Sequence, residues 1–227
     1  MFILPINRDS DSIRTPWIVV LLMAVNTAVL LLIYATQSSK TVALQYGFIP
    51  ASPHWRTLIS SLFVHAGILH LLGNMWFLWM FGHKVEEALG SWLFAAAYLL
   101  CGLGGNALHY TLNLHSPIPC IGASGAISGV AGMYFILFPR SDFDLDIYLG
   151  WWRIKTIATY ARVAIGTWFA EQAVLALLTQ ALHTLWIAFW AHVGGFITGV
   201  VLALFSSFLT SDDDRIWLSA KDLRSDD

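Results

Sequence analysis

No Asp, Glu, Lys or Arg occurs in residues 15–39, 57–83, 88–139 or 172–211. Runs of this length are what a bilayer demands. A helix crossing the hydrocarbon takes about 20 apolar residues, and its backbone polar groups must be satisfied internally. Only 11% of the chain is charged and 57% is hydrophobic, against roughly 25% charged in soluble domains. The chain is read as an integral membrane protein.

The first run holds one helix, at 17–35, and the second holds another, at 66–83. The third is long enough for two, and NLHSPIPC (113–120) breaks it into 92–112 and 122–138. The fourth exceeds one span, so a helix at 160–178 that carries Glu171 is followed by a TQALH turn and a last helix at 184–209. The expected fold is therefore all-α, with six transmembrane helices. Segment 36–65, which includes Phe48 and Trp55, is expected to rest in the outer interface, and Asp142–Arg162 to form an inner interfacial loop. Residues 1–16 are read as a cytoplasmic N-terminal segment, 17–209 as the membrane domain and 210–227 as an acidic cytoplasmic tail. With both termini in the cytoplasm, the 12 Lys and Arg divide ten to two, leaving only Lys40 and Arg56 outside.

A net charge of −2 leaves no basic footprint for nucleic acid. Cys101 and Cys120 are too few for a disulfide framework and are read as free thiols. The opening MFILPINRDSDSIRTP has no cleavable-signal pattern, and the apolar run after it is long enough to be a retained anchor. With neither an organelle-targeting segment nor an added cytosolic domain in view, a bacterial inner membrane is expected.

Chemistry is concentrated in three of the helices. GASGAISG (122–129) opens the short fourth helix with Ser124 in its first turn, where unpaired backbone N–H groups favour an anion. Small residues in a membrane helix are also what close helix packing uses, so the motif alone is weak. In WAHVGGFITG of the last helix, Gly195 and Gly199 share a face with His192, as Gly125 and Gly129 do with Ser124 and Ser128. Two such glycine faces can pack backbone to backbone and bring Ser124 to His192. On the second helix, His70 and Asn74 are i and i+4, and both can donate hydrogen bonds to an oxyanion. No acidic residue falls in these three helices, so the arrangement is a Ser–His dyad without a third member.

The set Trp55-Arg56, His65/His70/Asn74, GASG around Ser124 and AHVGGFxxG around His192 resembles the rhomboid intramembrane serine proteases, from about Trp17 to Leu209. The resemblance implies a rhomboid-like six-helix bundle with a membrane-embedded first loop. It implies Ser124 as nucleophile, His192 as general base and acid, and His70, Asn74 and the Ser124 amide as oxyanion hole. Gly122, Gly125, Gly195 and Gly199 would support the packing, and Trp55-Arg56 would belong to the first loop. Substrates would be single-pass transmembrane proteins with easily unwound helices, cut in or beside the bilayer next to a small residue, with no cofactor. One position departs: where some members carry a tyrosine that stacks on the histidine ring, this chain has Ser128, so a Trp or a hydroxyl hydrogen bond is expected to hold the ring.

Three other readings compete with this one. A silent rhomboid-like pseudoprotease that binds membrane helices would be expected to have lost Ser124 or His192. A channel or transporter would need a charged pathway, toward which only Glu171 points, and no internal repeat is visible. A metal site at His65, His70 and His192 lacks acidic or thiolate ligands at matching spacing.

Overall fold

The computed structural model describes residues 2–8, 15–36, 38–182 and 187–209. In chain order the elements are β1 (Phe2–Asn7), α1 (Trp17–Thr36), α2 (Ser39–Tyr46), α3 (Thr57–Ser60) with a 3-10 turn (Ser61–Phe63), α4 (Ile68–Leu89) and α5 (Ser91–Leu112). They continue as α6 (Ser124–Leu137), β2 (Asp142–Leu149), β3 (Trp152–Tyr160), α7 (Ala161–Ala181) and α8 (Phe189–Leu209). Among the described residues, α1, α5, α7 and Phe189–Ser206 of α8 are long and apolar enough to cross a membrane. Segment Thr57–Phe63 with α4 makes a fifth candidate, bent by 94° at the break. The 14 residues of α6 rise only about 21 Å, short of a hydrocarbon core of about 30 Å.

Short as it is, α6 is the centre of the bundle, buried from Gly125 to Tyr134. Lipid supplies no hydrophobic drive between helices, so close van der Waals approach has to hold them. Glycine makes that approach possible. A Cβ on Gly195 would overlap the Gly125 carbonyl oxygen, and one on Gly199 would overlap that of Gly129. On the other flank of α8, a Cβ on Gly194 would lie 2.7 Å from the Gly104 oxygen of α5, and one on Gly105 only 2.6 Å from the Ala191 oxygen. Below these contacts the core fills with large side chains, including the fully buried Leu78, Phe94, Tyr98 and Tyr134.

Helix α4 runs past the charge-free stretch to Leu89, because the acidic residue Glu86 is buried with partners. Its carboxylate accepts from the backbone N–H groups of Ile18 (3.0 Å) and Val19 (2.9 Å) and from the Ser91 hydroxyl (2.6 Å). One acid thus caps the N-terminus of α1, where a negative charge is favoured, and ties it to the α4–α5 junction.

The chain is not all-α. Strands β1, β2 and β3 form an antiparallel sheet in that order, where the sequence reading expected an inner loop over 142–162. The stretch DFDLDIYL alternates acid and apolar residues with period 2, so one strand face carries carboxylates and the other packs, with Phe143 1% exposed. Gly150, at φ 61°, turns the hairpin. The N-terminal residues expected as a separate segment pair with β2, and Asn7 donates to the Tyr134 hydroxyl at 2.9 Å, docking the sheet on α6. The acidic tail and the first residues of the expected last helix lie outside the described residues.

Candidate active site

The segment between α1 and α4 builds the entry to α6. Phe48 and Cys120 pair through both backbone hydrogen bonds (3.0 and 2.8 Å), and the Gly122 N–H donates to the Ser61 carbonyl at 2.9 Å. Asn106 of α5 donates to the Leu58 carbonyl (2.9 Å) and the Ser61 hydroxyl (3.1 Å), anchoring the same turn. Gly122 sits at φ 116°, a conformation that disfavours any side chain. A Cβ there would also stand 2.8 Å from His70 Nε2, so this glycine admits the histidine ring beside Ser124.

Ser124 is the first residue of α6, and His192 lies in the first turn of α8. His192 Nε2 is 2.8 Å from Ser124 Oγ, although the residues are 68 positions apart. The glycine contacts of α8 with α6 and α5 set this distance, since they fix both the separation and the rotation of the helices. A cavity of about 610 Å³ opens on the pair, with His70, Asn74, Trp168 and Gln172 among the residues of its wall. The Asn74 amide donates to the His70 carbonyl at 2.8 Å, and the Ala66 N–H approaches His70 Nδ1 at 3.4 Å. The His65 and His70 rings meet edge to face, with centroids 5.1 Å apart.

Four of the residues singled out in the sequence, Ser124, His192, His70 and Asn74, therefore share one cavity. Trp55 and Arg56 lie outside its lining; the guanidinium sits 5.2 Å over the indole ring, and Trp55 is exposed. Ser128 does not take the place of a ring-stacking residue. Its hydroxyl donates to the Ser124 carbonyl one turn back, at 2.7 Å. The ring of His192 is held from another direction, by Gln172 of α7, whose Oε1 lies 2.8 Å from Nδ1. Phe189 adds an edge-to-face contact at 6.0 Å. The sequence reading does not include Gln172; the conspicuous residue there is its neighbour Glu171. Glu171 is exposed, whereas Gln172 is 7% exposed. An uncharged amide in an apolar helix was the available signal.

Fold and site together define an integral membrane protein with a serine–histidine pair inside its helical bundle. Residues 52–207 match the family model described as the Rhomboid domain, and the chain belongs to the rhomboid family. It is 32% identical over 148 residues, 65% of this chain, to RHOMBOID-like protein 6, mitochondrial, of Arabidopsis thaliana. It is 27% identical over 186 residues, 80% of this chain, to Rhomboid-like protein 11, chloroplastic, of the same plant. Over 95 residues, 41% of this chain, it is 38% identical to Rhomboid protease GluP of Bacillus subtilis (strain 168). The matched regions cover 42%, 62% and 18% of those relatives' own lengths.

Proposed function

We propose that the chain is an intramembrane serine endopeptidase that cleaves transmembrane proteins through Ser124 and His192. The observation that carries this reading is the 2.8 Å approach of Ser124 Oγ to His192 Nε2 in the wall of a cavity within the bundle. A serine hydroxyl is a weak nucleophile until a base takes its proton. His192 would take it at Nε2 as Oγ attacks the scissile carbonyl, then return it to the leaving amine. Water would resolve the acyl-enzyme by the same path.

The developing oxyanion needs donors aimed at it. The first N–H groups of α6 have no intrahelical partner, and Ser124 stands among them. His70 Nε2 faces the same turn across Gly122. The approach of the Ala66 N–H to Nδ1 favours the ring proton on Nε2, which makes that atom a donor. Asn74 has two N–H groups; one is spent on the His70 carbonyl, and the other remains for the oxyanion.

Membership of a family that includes a named protease supports hydrolysis, and the apolar bundle supports a substrate that lies in the bilayer. A single-pass substrate cut beside a small residue follows from the resemblance of the motifs. Six crossings follow if α6 and the bent α3–α4 segment each count as a span. The ten-to-two division of Lys and Arg supports both termini on the cytoplasmic face. The test is activity-based labelling in membranes: a fluorophosphonate probe should mark Ser124 and fail on His192→Ala. A wild-type chain that takes no probe while still binding membrane helices would instead be the silent pseudoprotease.

A further inference from the structure

We infer that Gln172 is the positioning residue of the site: its amide oxygen holds His192 in the one tautomer that can serve Ser124. The inference rests on the proteolytic reading and adds a third member to what the sequence presents as a dyad.

The argument begins with hydrogen-bond capacity. As the amide is placed, Gln172 turns Oε1 to His192 Nδ1 at 2.8 Å, and an amide oxygen only accepts, so this arrangement puts the ring proton on Nδ1. A neutral imidazole carries one ring proton, which leaves a lone pair on Nε2. Nε2 is the atom 2.8 Å from Ser124 Oγ, so the hydroxyl donates and the ring accepts. In the opposite tautomer Nδ1 and Oε1 would meet as two acceptors, and Nε2 would donate to Oγ instead of taking its proton. When Ser124 gives up its proton, the ring becomes an imidazolium and its Nδ1–H bond to Gln172 strengthens, as a hydrogen bond from a charged donor does. The proton then leaves Nε2 for the amine, and Nδ1 keeps its proton on Gln172 through the cycle.

The residue type suits the place. Gln172 is buried beside an apolar bundle, where a carboxylate in its stead would have to be desolvated. A neutral amide accepts the same bond without that cost. Nor is the contact a solitary one. Ile165, Phe169, Gln172, Ala176 and Gln180 recur at spacings of three and four along α7, which puts them on one face. Phe169 stacks on Phe196 of α8 with centroids 4.0 Å apart, and Gln180 Oε1 accepts from the Trp190 indole N–H at 2.6 Å. Three contacts from this face, at Trp190, His192 and Phe196, therefore set α7 against α8 around the histidine.

The test measures fluorophosphonate inactivation of the full chain in bilayers, resolved into the maximal rate and the half-saturating probe concentration. Gln172→Leu, which cannot accept, should lower the maximal rate by about tenfold to a hundredfold, the worth of a hydrogen bond to a forming charge. Its half-saturating concentration and thermal unfolding should match wild type. Gln172→Glu keeps an acceptor oxygen in either protonation state and should label faster than Gln172→Leu. If branching at Leu disturbs the packing, Gln172→Met carries the same expectation with an unbranched side chain. Labelling of Gln172→Leu and Gln172→Met at the wild-type rate overturns the inference, as does a Gln172→Glu no faster than they are. Either outcome leaves the proteolytic reading standing, whereas a wild-type Ser124 that takes no probe overturns both.

Discussion

Gly199 and Gly129 face each other so closely that a Cβ on Gly199 would sit inside the Gly129 carbonyl oxygen. Neither α6 nor α8 can separate without drawing His192 away from Ser124, because both residues ride on the same helix pair. Gly199→Ala should cost about 1–3 kcal/mol or more, the range for overpacking a filled interior. Reversible unfolding in mixed micelles measures it. Gly166→Ala on α7 is the control: the nearest atom to its added Cβ is a Phe135 ring carbon at 3.5 Å, an ordinary contact. It should be neutral or stabilising by about 0.5–1 kcal/mol, because glycine disfavours a helix interior.

Ser124→Ala should abolish cleavage of a membrane-protein substrate and leave the protein folded in the membrane. His192→Ala should do the same. Asn74→Ala should fall by less, about 10²–10³-fold, as the loss of one oxyanion donor does. Gel-based cleavage of a reconstituted transmembrane substrate measures all three, and a loss in Asn74→Ala equal to that of the dyad variants would assign Asn74 to the fold. Activity should persist in EDTA, which separates the serine mechanism from a histidine metal site.

Glu86 stabilises the fold far from the cavity. Glu86→Ala would leave the Ile18 and Val19 N–H groups and the Ser91 hydroxyl without their acceptor, at a cost of about 1–3 kcal/mol. Denaturant titration should show the loss, and Glu86→Gln, which keeps one acceptor oxygen, should recover part of it.

The sheet has its own pH dependence. The Thr156 hydroxyl, and then Arg153, hold the carboxyl of Asp146 below the ordinary value of 3.8. A carboxyl with a depressed folded pKa contributes stability that is present above its unfolded value and is lost as pH falls through the folded one. Hydrogen exchange in β2 and β3, corrected for intrinsic rates, should therefore report easier local opening as pH drops from about 5 to about 3. Asp146→Asn should flatten that response.

Much of the membrane bundle was legible in the residues, because the bilayer imposes a simple rule on them. Charge is costly along a spanning helix, so the uncharged runs locate α1, α5, α6 and the start of α4 to within two residues, whereas α7 carries Arg162 and Glu171 outside any such run. The helix boundary at Leu89 escaped that rule, since Glu86 is a buried charge satisfied by another helix's N-terminus. The sheet escaped for a related reason. The alternation in DFDLDIYL was visible, but its first neighbour β1 lies more than a hundred residues earlier, and strand pairing over that distance has no local signature.

Sequence by itself determined where the helices run, which of them carry Ser124, His192, His70 and Asn74, and that glycine faces flank the first two. Those properties follow from local composition and helical period. Only the tertiary structure decided what holds the histidine ring. Ser128 turns back on its own helix, and Gln172 reaches His192 from α7, 20 residues earlier in the chain. Which side chain meets a ring across a helix interface depends on the rotation and crossing of both helices, and a neutral amide can serve equally well at a lipid edge or in a core.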